Sequence, residues 1–264
     1  MQIEARLIDA VKELGSVVVA FSGGVDSALV AVAAHRALHR EQVLLATADS
    51  TSLAQGELAQ CENFAESWGI EWLAVSTDEM SDSRYRMNEG DRCFWCKTAL
   101  MDQLEPVAAA RSAEIALGVN LDDLGDHRPG QEAARERGAR FPLVEAGFQK
   151  ADIRALAKEW GISVWDRPAM PCLSSRVPYG TEISVALLSQ VDRAEAKLRT
   201  LGFRDVRVRH YGDTARIEVP GDEVVHAAEL AQEVDAAVRA VGYRYVTLDL
   251  AGLRSGNLNG ALKR

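Results

Sequence analysis

Val17-Val18-Val19-Ala20-Phe21-Ser22-Gly23-Gly24-Val25-Asp26-Ser27 is the stretch from which the rest of this chain can be read. Its unbroken, β-branched apolar run fits a strand covered on both faces, as the strands of parallel sheets are. The run stops at two glycines and continues as an Ala-rich helical pattern to about His39. At a strand-to-helix turn, glycines let the backbone approach a ligand, and the first N–H groups of the helix lack intrahelical partners. Such a turn suits a pyrophosphate, and the hydroxyls of Ser22 and Ser27 add donors. The plainer alternative is a tight turn with a helix N-cap. A Walker A loop is excluded, because no Gly-Lys-Ser/Thr follows the glycines.

Outward from this turn, strands and helices alternate. Gln42 to Ala48 predicts a second strand, Leu53 to Trp68 a helix, and Ile70 to Ser76 a third strand. A polar stretch, TDEMSDSRYRMNEGDR, precedes a helix from about Trp95 to Ala110, and Glu114 to Gly118 is a fourth strand. Gln149 to Trp160 is an amphipathic helix ending at Gly161, which leads into Ile162-Ser163-Val164-Trp165. The expected fold class is α/β: a doubly wound parallel sheet covered by helices on both faces, in a first domain over residues 1–165. Asp166 to Gly180 holds three prolines in fifteen residues without a period and is expected to be a linker loop. From 181 to 264 a smaller α/β domain is expected. It has helices over Ile183–Leu201 and Gly221–Val241 and strands near Asp205–Arg209, Ala215–Val219 and Arg244–Leu248.

The chain has 264 residues, 30 Lys+Arg and 39 Asp+Glu, for a net charge of −9. A hydrophobic content of 47% with 26% charged residues excludes a disordered chain. Apolar runs fall far short of the roughly 20 residues that span a bilayer. The start lacks a basic-then-apolar leader pattern, so no membrane partner and a cytoplasmic location are expected. Residues 1–180 carry 18 basic and 27 acidic side chains, and the remainder 12 of each. An acidic body without a basic stripe argues against binding a nucleic-acid backbone. Four cysteines, Cys61, Cys93, Cys96 and Cys172, are too few for a disulfide scaffold.

SGGVDS at Ser22–Ser27 resembles the PP-loop signature of the adenosine-nucleotide α-hydrolases (HUP-like folds), enzymes that split ATP between its α- and β-phosphates. Gly118-Val119-Asn120-Leu121-Asp122-Asp123 is similar to that family's second nucleotide segment, with Val119 where Thr is usual. The resemblance implies ATP at Ser22, Gly23, Gly24, Asp26 and Ser27. It also implies Mg²⁺ on Asp26 and Asp123, and Asp49 facing adenosine; a solvated helix start is the plainer reading of Asp122-Asp123. Five further stretches narrow the branch: GDHRPG from Gly125, PLVEAGFQKADIRALA from Pro142, PAMPCLSSRVPYG from Pro168, GFRDVRVRHYGDTARIEV from Gly202 and GYRYVTLDLAGLRSGNLN from Gly242. Together they resemble the LarE-type ATP-dependent sulfur transferases, which serve the nickel-pincer nucleotide of lactate racemase.

That resemblance implies adenylylation of a carboxylate on a pyridinium dicarboxylate mononucleotide and its conversion to a thiocarboxylate. Cys172 matches the position of the sulfur-donating cysteine, with Arg176 a neighbouring cation able to stabilise a thiolate or contact substrate. Cys93-Phe94-Trp95-Cys96 lacks the thioredoxin-like setting of a redox pair and cannot complete a zinc site alone. With Cys172 it supplies three thiolates, enough for a [4Fe–4S] cluster with one open iron; the sulfur comes from Cys172 or from such a cluster, and the presence of all three cysteines favours the cluster. In Arg207-Val208-Arg209, strand alternation puts both guanidinium groups on one face. They form a phosphate clamp or a solvent-facing basic edge, and the resemblance favours the clamp. Glu195 and Glu218 match metal-binding acids, Arg254 is an anion-binding candidate, and Trp95 either stacks on the pyridinium or packs in the core. A homo-oligomer such as a hexamer is implied. The alternative within the same chemistry is a tRNA thiolation enzyme.

Overall fold

The computed structural model describes residues 2–125, 129–168 and 170–254. Part of the GDHRPG stretch, Ala169, and Ser255 through Asn259 of the last quoted stretch lie outside the described residues. The chain divides into two compact units. One comprises residues 1–50, 56–82 and 91–170, and the other 51–55, 83–90 and 171–264.

In the first unit, β1 (Val17–Ala20), β2 (Val43–Asp49), β3 (Glu71–Ser76) and β4 (Glu114–Leu117) form one parallel sheet in the order β3-β2-β1-β4. Successive side chains of a strand point to opposite faces, and both faces here are apolar. Val17, Val19, Val43 and Leu45 enter one core, whereas Val18, Leu44 and Ala46 enter the other. The first core is shared with α1 (Gln2–Lys12), α2 (Val25–Ala37), α3 (Glu57–Trp68), α7 (Pro142–Glu145) and α8 (Lys150–Glu159); the second with α5 (Arg92–Ala110) and α6 (Pro129–Glu136). Ala28 through Ala34 of α2 are 0% exposed. A helix apolar all round is a buried one, and this one shares its core with α1, α8 and the sheet. This is the doubly wound sheet expected.

Local details differ from the sequence reading for identifiable reasons. The helix expected from Leu53 starts at Glu57, after Gly56 in a left-handed conformation (φ +86°). The polar stretch before the cysteines holds a 3-10 turn, Glu79–Ser81, and a short helix, α4 (Ser83–Met87). Because α5 begins at Arg92, both Cys93 and Cys96 lie on its first two turns. Ile162–Trp165 is a turn rather than an extended segment.

The second unit is built on β5 (Arg207–Tyr211), β6 (Thr214–Glu218) and β7 (Tyr245–Leu248), with β5–β6 antiparallel and β6–β7 parallel. One face packs with α9 (Val185–Thr200), α10 (Val224–Glu229) and α11 (Ala231–Arg239) through Leu198, Val208, Ile217, Ala227 and Val238. Ser184 caps α9 by accepting from the Leu187 N–H at 3.2 Å. The expected helix over Gly221–Val241 is broken into a 3-10 turn, α10 and α11, with Leu230 between the two helices. Residues 171–180, read as part of a linker, belong to this unit and carry a 3-10 turn at Leu173–Arg176. Among the described residues no helix is long and apolar enough to cross a membrane.

In the first unit the chain leaves β1 toward β2 on one side and meets β4 on the other. Open α/β sheets bind ligands at such a switch point, beyond the carboxyl ends of the strands. Gly118 stands at that place. A Cβ on it would lie 2.5 Å from the Ser27 nitrogen and 2.7 Å from the Asp26 carbonyl carbon, both backbone atoms of α2. Gly118→Ala is therefore expected to lower stability by about 1–3 kcal/mol and to weaken ATP binding by displacing the start of α2. Thermal unfolding and calorimetric ATP titration check this. A variant matching the parent in both would show that the close approach is not required.

Candidate active site

The turn between β1 and α2 is arranged to receive an anion. Gly23 has φ +72°, which only glycine adopts cheaply, and Gly24 is the N-cap of α2 without a side-chain cap. The Ser27 hydroxyl donates to the Gly24 carbonyl (3.1 Å) and accepts from the Ser22 N–H (3.2 Å). The Ser22 and Ser27 hydroxyls are 3.2 Å apart. The loop is thus held in shape from within. The N-terminal N–H groups of α2 remain for a ligand, and the helix dipole favours a negative one.

Three side chains missed in the sequence reading converge on this loop. Lys150 Nζ lies 2.5 Å from Asp26 Oδ2, and the Asn120 amide reaches Asp26 Oδ1 at 3.4 Å. Asp123 accepts from the Asn120 N–H at 3.2 Å, and Asp122 from the Lys150 N–H at 2.7 Å. Lys150 is the first residue of α8, where a cation opposes the helix dipole; that misfit was the available signal of another task. Arg167 donates to the Gly23 carbonyl (3.4 Å) while paired with the buried Glu57 (2.9 Å), and so braces the loop. Asp49 is exposed at the end of β2. Beside it, the buried Glu79 accepts from the hydroxyls of Ser50 and Thr77.

The cysteines differ in setting. Cys61 is buried on α3, 3.0 Å from where a Cβ on Gly23 would stand. Burial pushes its thiol above the ordinary value, only partly offset by a hydrogen bond with Thr47. It is a packing residue. Cys93 is exposed and Cys96 half-buried on the first turns of α5. Trp95 between them is half-buried, donates to Asp91 (2.8 Å) and meets Phe94 edge-on at 4.9 Å. Gly130, from the GDHRPG stretch, allows α6 to approach: a Cβ there would come within 2.8 Å of the Cys93 carbonyl oxygen.

In the second unit Cys172 is exposed and leads directly into the 3-10 turn Leu173–Arg176. Arg176 is 2% exposed and turns inward. Its Nη1 donates to the carbonyls of Pro171 and of Cys172 (3.1 Å) and to the Ser175 hydroxyl (3.0 Å). Nε and Nη2 form a fork onto Glu195 at 2.8 and 3.0 Å. Arg209 donates to the Ser175 carbonyl (2.7 Å) and, through Nε and Nη2, to Glu218 (2.9 and 2.7 Å). Glu195 also accepts from Arg199 (3.1 Å) and the Val208 N–H (3.0 Å), and Glu218 from Arg216 (2.8 Å). Both glutamates are 0% exposed with guanidinium groups on both oxygens, so their donor sets do not fit the metal-binding role expected of them. Among the described residues no three Cys, His, Asp or Glu side chains are grouped to hold a metal.

Arg207 and Arg209 do share one sheet face and are 5% and 6% exposed, which overturns the solvent-facing alternative. Burial, together with the nearby Arg176 and Arg209, pushes the Arg207 guanidinium down to about 10. Crowded cations of this kind are relieved by an anion. Arg254 is exposed, 4.0 Å from Asp249.

A parallel sheet with an uncapped, glycine-led helix at its switch point defines an α/β protein built to hold a phosphate group. The family model described as NAD synthase matches residues 2–91. The chain belongs to the LarE-type family of PP-loop enzymes: it is 39% identical over 262 residues to the pyridinium-3,5-bisthiocarboxylic acid mononucleotide synthase of Lactiplantibacillus plantarum, covering 99% of this chain and 95% of that one. An uncharacterized protein of Synechocystis is 44% identical over 259 residues, 96% of this chain and 95% of its own. Another, of Methanocaldococcus jannaschii, is 25% identical over 240 residues, 90% of this chain and 91% of its own.

Two outcomes are expected. Lys150→Met removes the cation at Asp26, so ATP-dependent pyrophosphate release should fall at least about tenfold, the equivalent of 1.4 kcal/mol. The melting temperature should barely move, because the pair is partly exposed; undiminished release would remove Lys150 from the site. Inorganic phosphate should raise the melting temperature near neutral pH. A cation with a folded pKa below its unfolded one opposes folding while charged, and a bound phosphate relieves this until Arg207 deprotonates. The gain should therefore fade as pH rises through about 10. An equal gain from chloride at matched ionic strength, or in Arg207→Ala, would refute an anion site there.

Proposed function

We propose that this protein is an ATP-dependent sulfur transferase. It converts a carboxylate of a pyridinium dicarboxylate mononucleotide into a thiocarboxylate, in the assembly of a nickel-pincer nucleotide. The observation that carries the reading is Cys172: an exposed thiol on a turn whose carbonyls are held by Arg176 and Arg209. The name of the Lactiplantibacillus relative supports the substrate class. ATP binds at Ser22, Gly23, Gly24, Asp26 and Ser27, with Asp49 facing the nucleoside. Asp26 and Asp123 offer the hard oxygens that Mg²⁺ takes, and the ion accompanying ATP would neutralise phosphate charge there.

The substrate carboxylate attacks the α-phosphorus of ATP and pyrophosphate leaves, with the N-terminus of α2 and Lys150 stabilising the departing charge. The Cys172 thiolate attacks the acyl carbon of the adenylate, and AMP leaves. Removal of the Cys172 α-proton then breaks the S–Cβ bond, which leaves a thiocarboxylate on the product and dehydroalanine at position 172. Arg207 and Arg209 hold the substrate phosphate, Arg254 and Trp95 are further substrate contacts, and Arg176 orders the cysteine turn. The acidic balance of −9 supports a small nucleotide as partner rather than tRNA. A cytoplasmic homo-oligomer accompanies this reading.

Intact-protein mass spectrometry on anaerobically purified enzyme tests it, before and after turnover with ATP, Mg²⁺ and the dicarboxylated pyridinium mononucleotide. Loss of the mass of one H₂S, mapped to Cys172, is expected. Thiolated product with Cys172 intact would move the sulfur to a [4Fe–4S] cluster on Cys93, Cys96 and Cys172. Absence of thiolated product would overturn the sulfur-transferase reading.

A further inference from the structure

Behind the cysteine turn lies a feature that neither the nucleotide site nor the arginine network uses. Ser174, two residues after Cys172, is 0% exposed, and two hydroxyls from distant parts of the chain close upon it. Its Oγ lies 2.6 Å from the Tyr85 hydroxyl and 3.0 Å from Ser52 Oγ, and Ser52 and Tyr85 are hydrogen-bonded to each other. Ser52 is 2% and Tyr85 1% exposed. The Ser52 carbonyl also accepts from the Leu173 N–H at 2.8 Å. The segment that carries Tyr85 also holds the far side of the loop. The buried Asn88 side-chain amide donates to the carbonyls of Pro178 (2.8 Å) and Thr181 (3.0 Å), and the Asn88 main-chain carbonyl accepts from the Gly180 N–H (3.0 Å).

Each hydroxyl of a three-membered ring can donate once and accept once, so a closed ring satisfies all three groups away from water. Removing one member takes a buried hydrogen bond from each of the other two. The ring ties the cysteine turn to Ser52 and Tyr85. It keeps Ser174 in one position, and with it a turn too short to absorb a shift before Cys172. Apolar residues of similar volume would fill the space but would not choose one orientation of the turn.

We propose that Ser52 and Tyr85 are positioning residues for Cys172, acting through Ser174 to fix the turn on which the thiol stands. The proposal rests on Cys172 being the sulfur donor. Nucleophile and acyl carbon must meet within a fraction of an ångström, and a displacement of about 1 Å costs roughly a hundredfold in rate. Arg176 and Arg209 hold the turn's carbonyls; the hydroxyl ring and the Leu173 amide bond hold it from Ser52 and Tyr85.

The test uses the full chain with Tyr85→Phe, Ser52→Ala and Ser52→Thr. Two quantities are read: amide hydrogen exchange of the peptide spanning residues 171–177, and the single-turnover rate of sulfur transfer at saturating ATP and dicarboxylated pyridinium mononucleotide. Tyr85→Phe and Ser52→Ala should each speed exchange of that peptide about tenfold and slow transfer by tenfold to a hundredfold. The KM for ATP should stay unchanged, and Ser52→Thr, which keeps the hydroxyl, should restore both. Faster exchange with an unchanged transfer rate would overturn the proposal, as would slower transfer with unchanged exchange or parent values of both. If Tyr85→Phe proves too unstable to assay, the Ser52 pair decides alone. Cys172→Ser separates the two readings: sulfur transfer surviving in it refutes Cys172 as donor, whereas the exchange measurement judges the ring independently.

Discussion

Glu195 is the carboxylate around which the cysteine turn and β5 of the second unit are organised. It has no contact with water and accepts hydrogen bonds from Arg176, Arg199 and the Val208 N–H. A carboxylate buried in this way is tolerable only when its lone pairs are occupied by charged or polar donors, and breaking such a pair from one side costs about 3–5 kcal/mol. Through Arg176 it reaches the carbonyls at Pro171 and Cys172, and through Val208 it grips β5, which carries Arg207 and Arg209. Glu218 does the same for Arg209 and Arg216. The cysteine turn and the strand that carries Arg207 and Arg209 are thus two ends of one ionic network.

The first unit solves a different problem with similar means. An anion site at a helix N-terminus must keep donors unsatisfied until the ligand arrives, yet the loop must not collapse onto them. Ser27 supplies the internal hydrogen bonds that hold the loop, and Arg167, tied to Glu57, holds the Gly23 carbonyl. Asp26 is kept in place by Lys150 and Asn120. Gly118 lets β4 close against the start of α2 with nothing between them. Fixing these groups in advance avoids reorganisation when charge develops on the phosphates.

Much of this was readable in one dimension because the signals are local. The β-branched run at Val17–Val19, the glycine pair and the Ala-rich helix after them follow from backbone sterics and side-chain period, which depend on near neighbours. All four strands of the parallel sheet lie within a residue or two of where the pattern puts them. Boundaries were less legible. The Leu53–Gln55 segment has helical composition, but the left-handed Gly56 starts the helix later. The helix expected over Gly221–Val241 is broken at Leu230, which stands between α10 and α11.

The sequence by itself determined the sheet, the glycine turn that follows β1 and the place of Cys172 after Pro171, since each is written in consecutive residues. Only the tertiary structure decided what the charged and hydroxyl side chains do. Lys150 meets Asp26 across 124 residues, and Ser52 meets Ser174 across 122. Glu195 and Glu218 look alike to a metal and to an arginine until their partners are known. The physical reason is that a buried charge or hydroxyl takes its role from whatever satisfies it, and those partners come together only when the chain has folded.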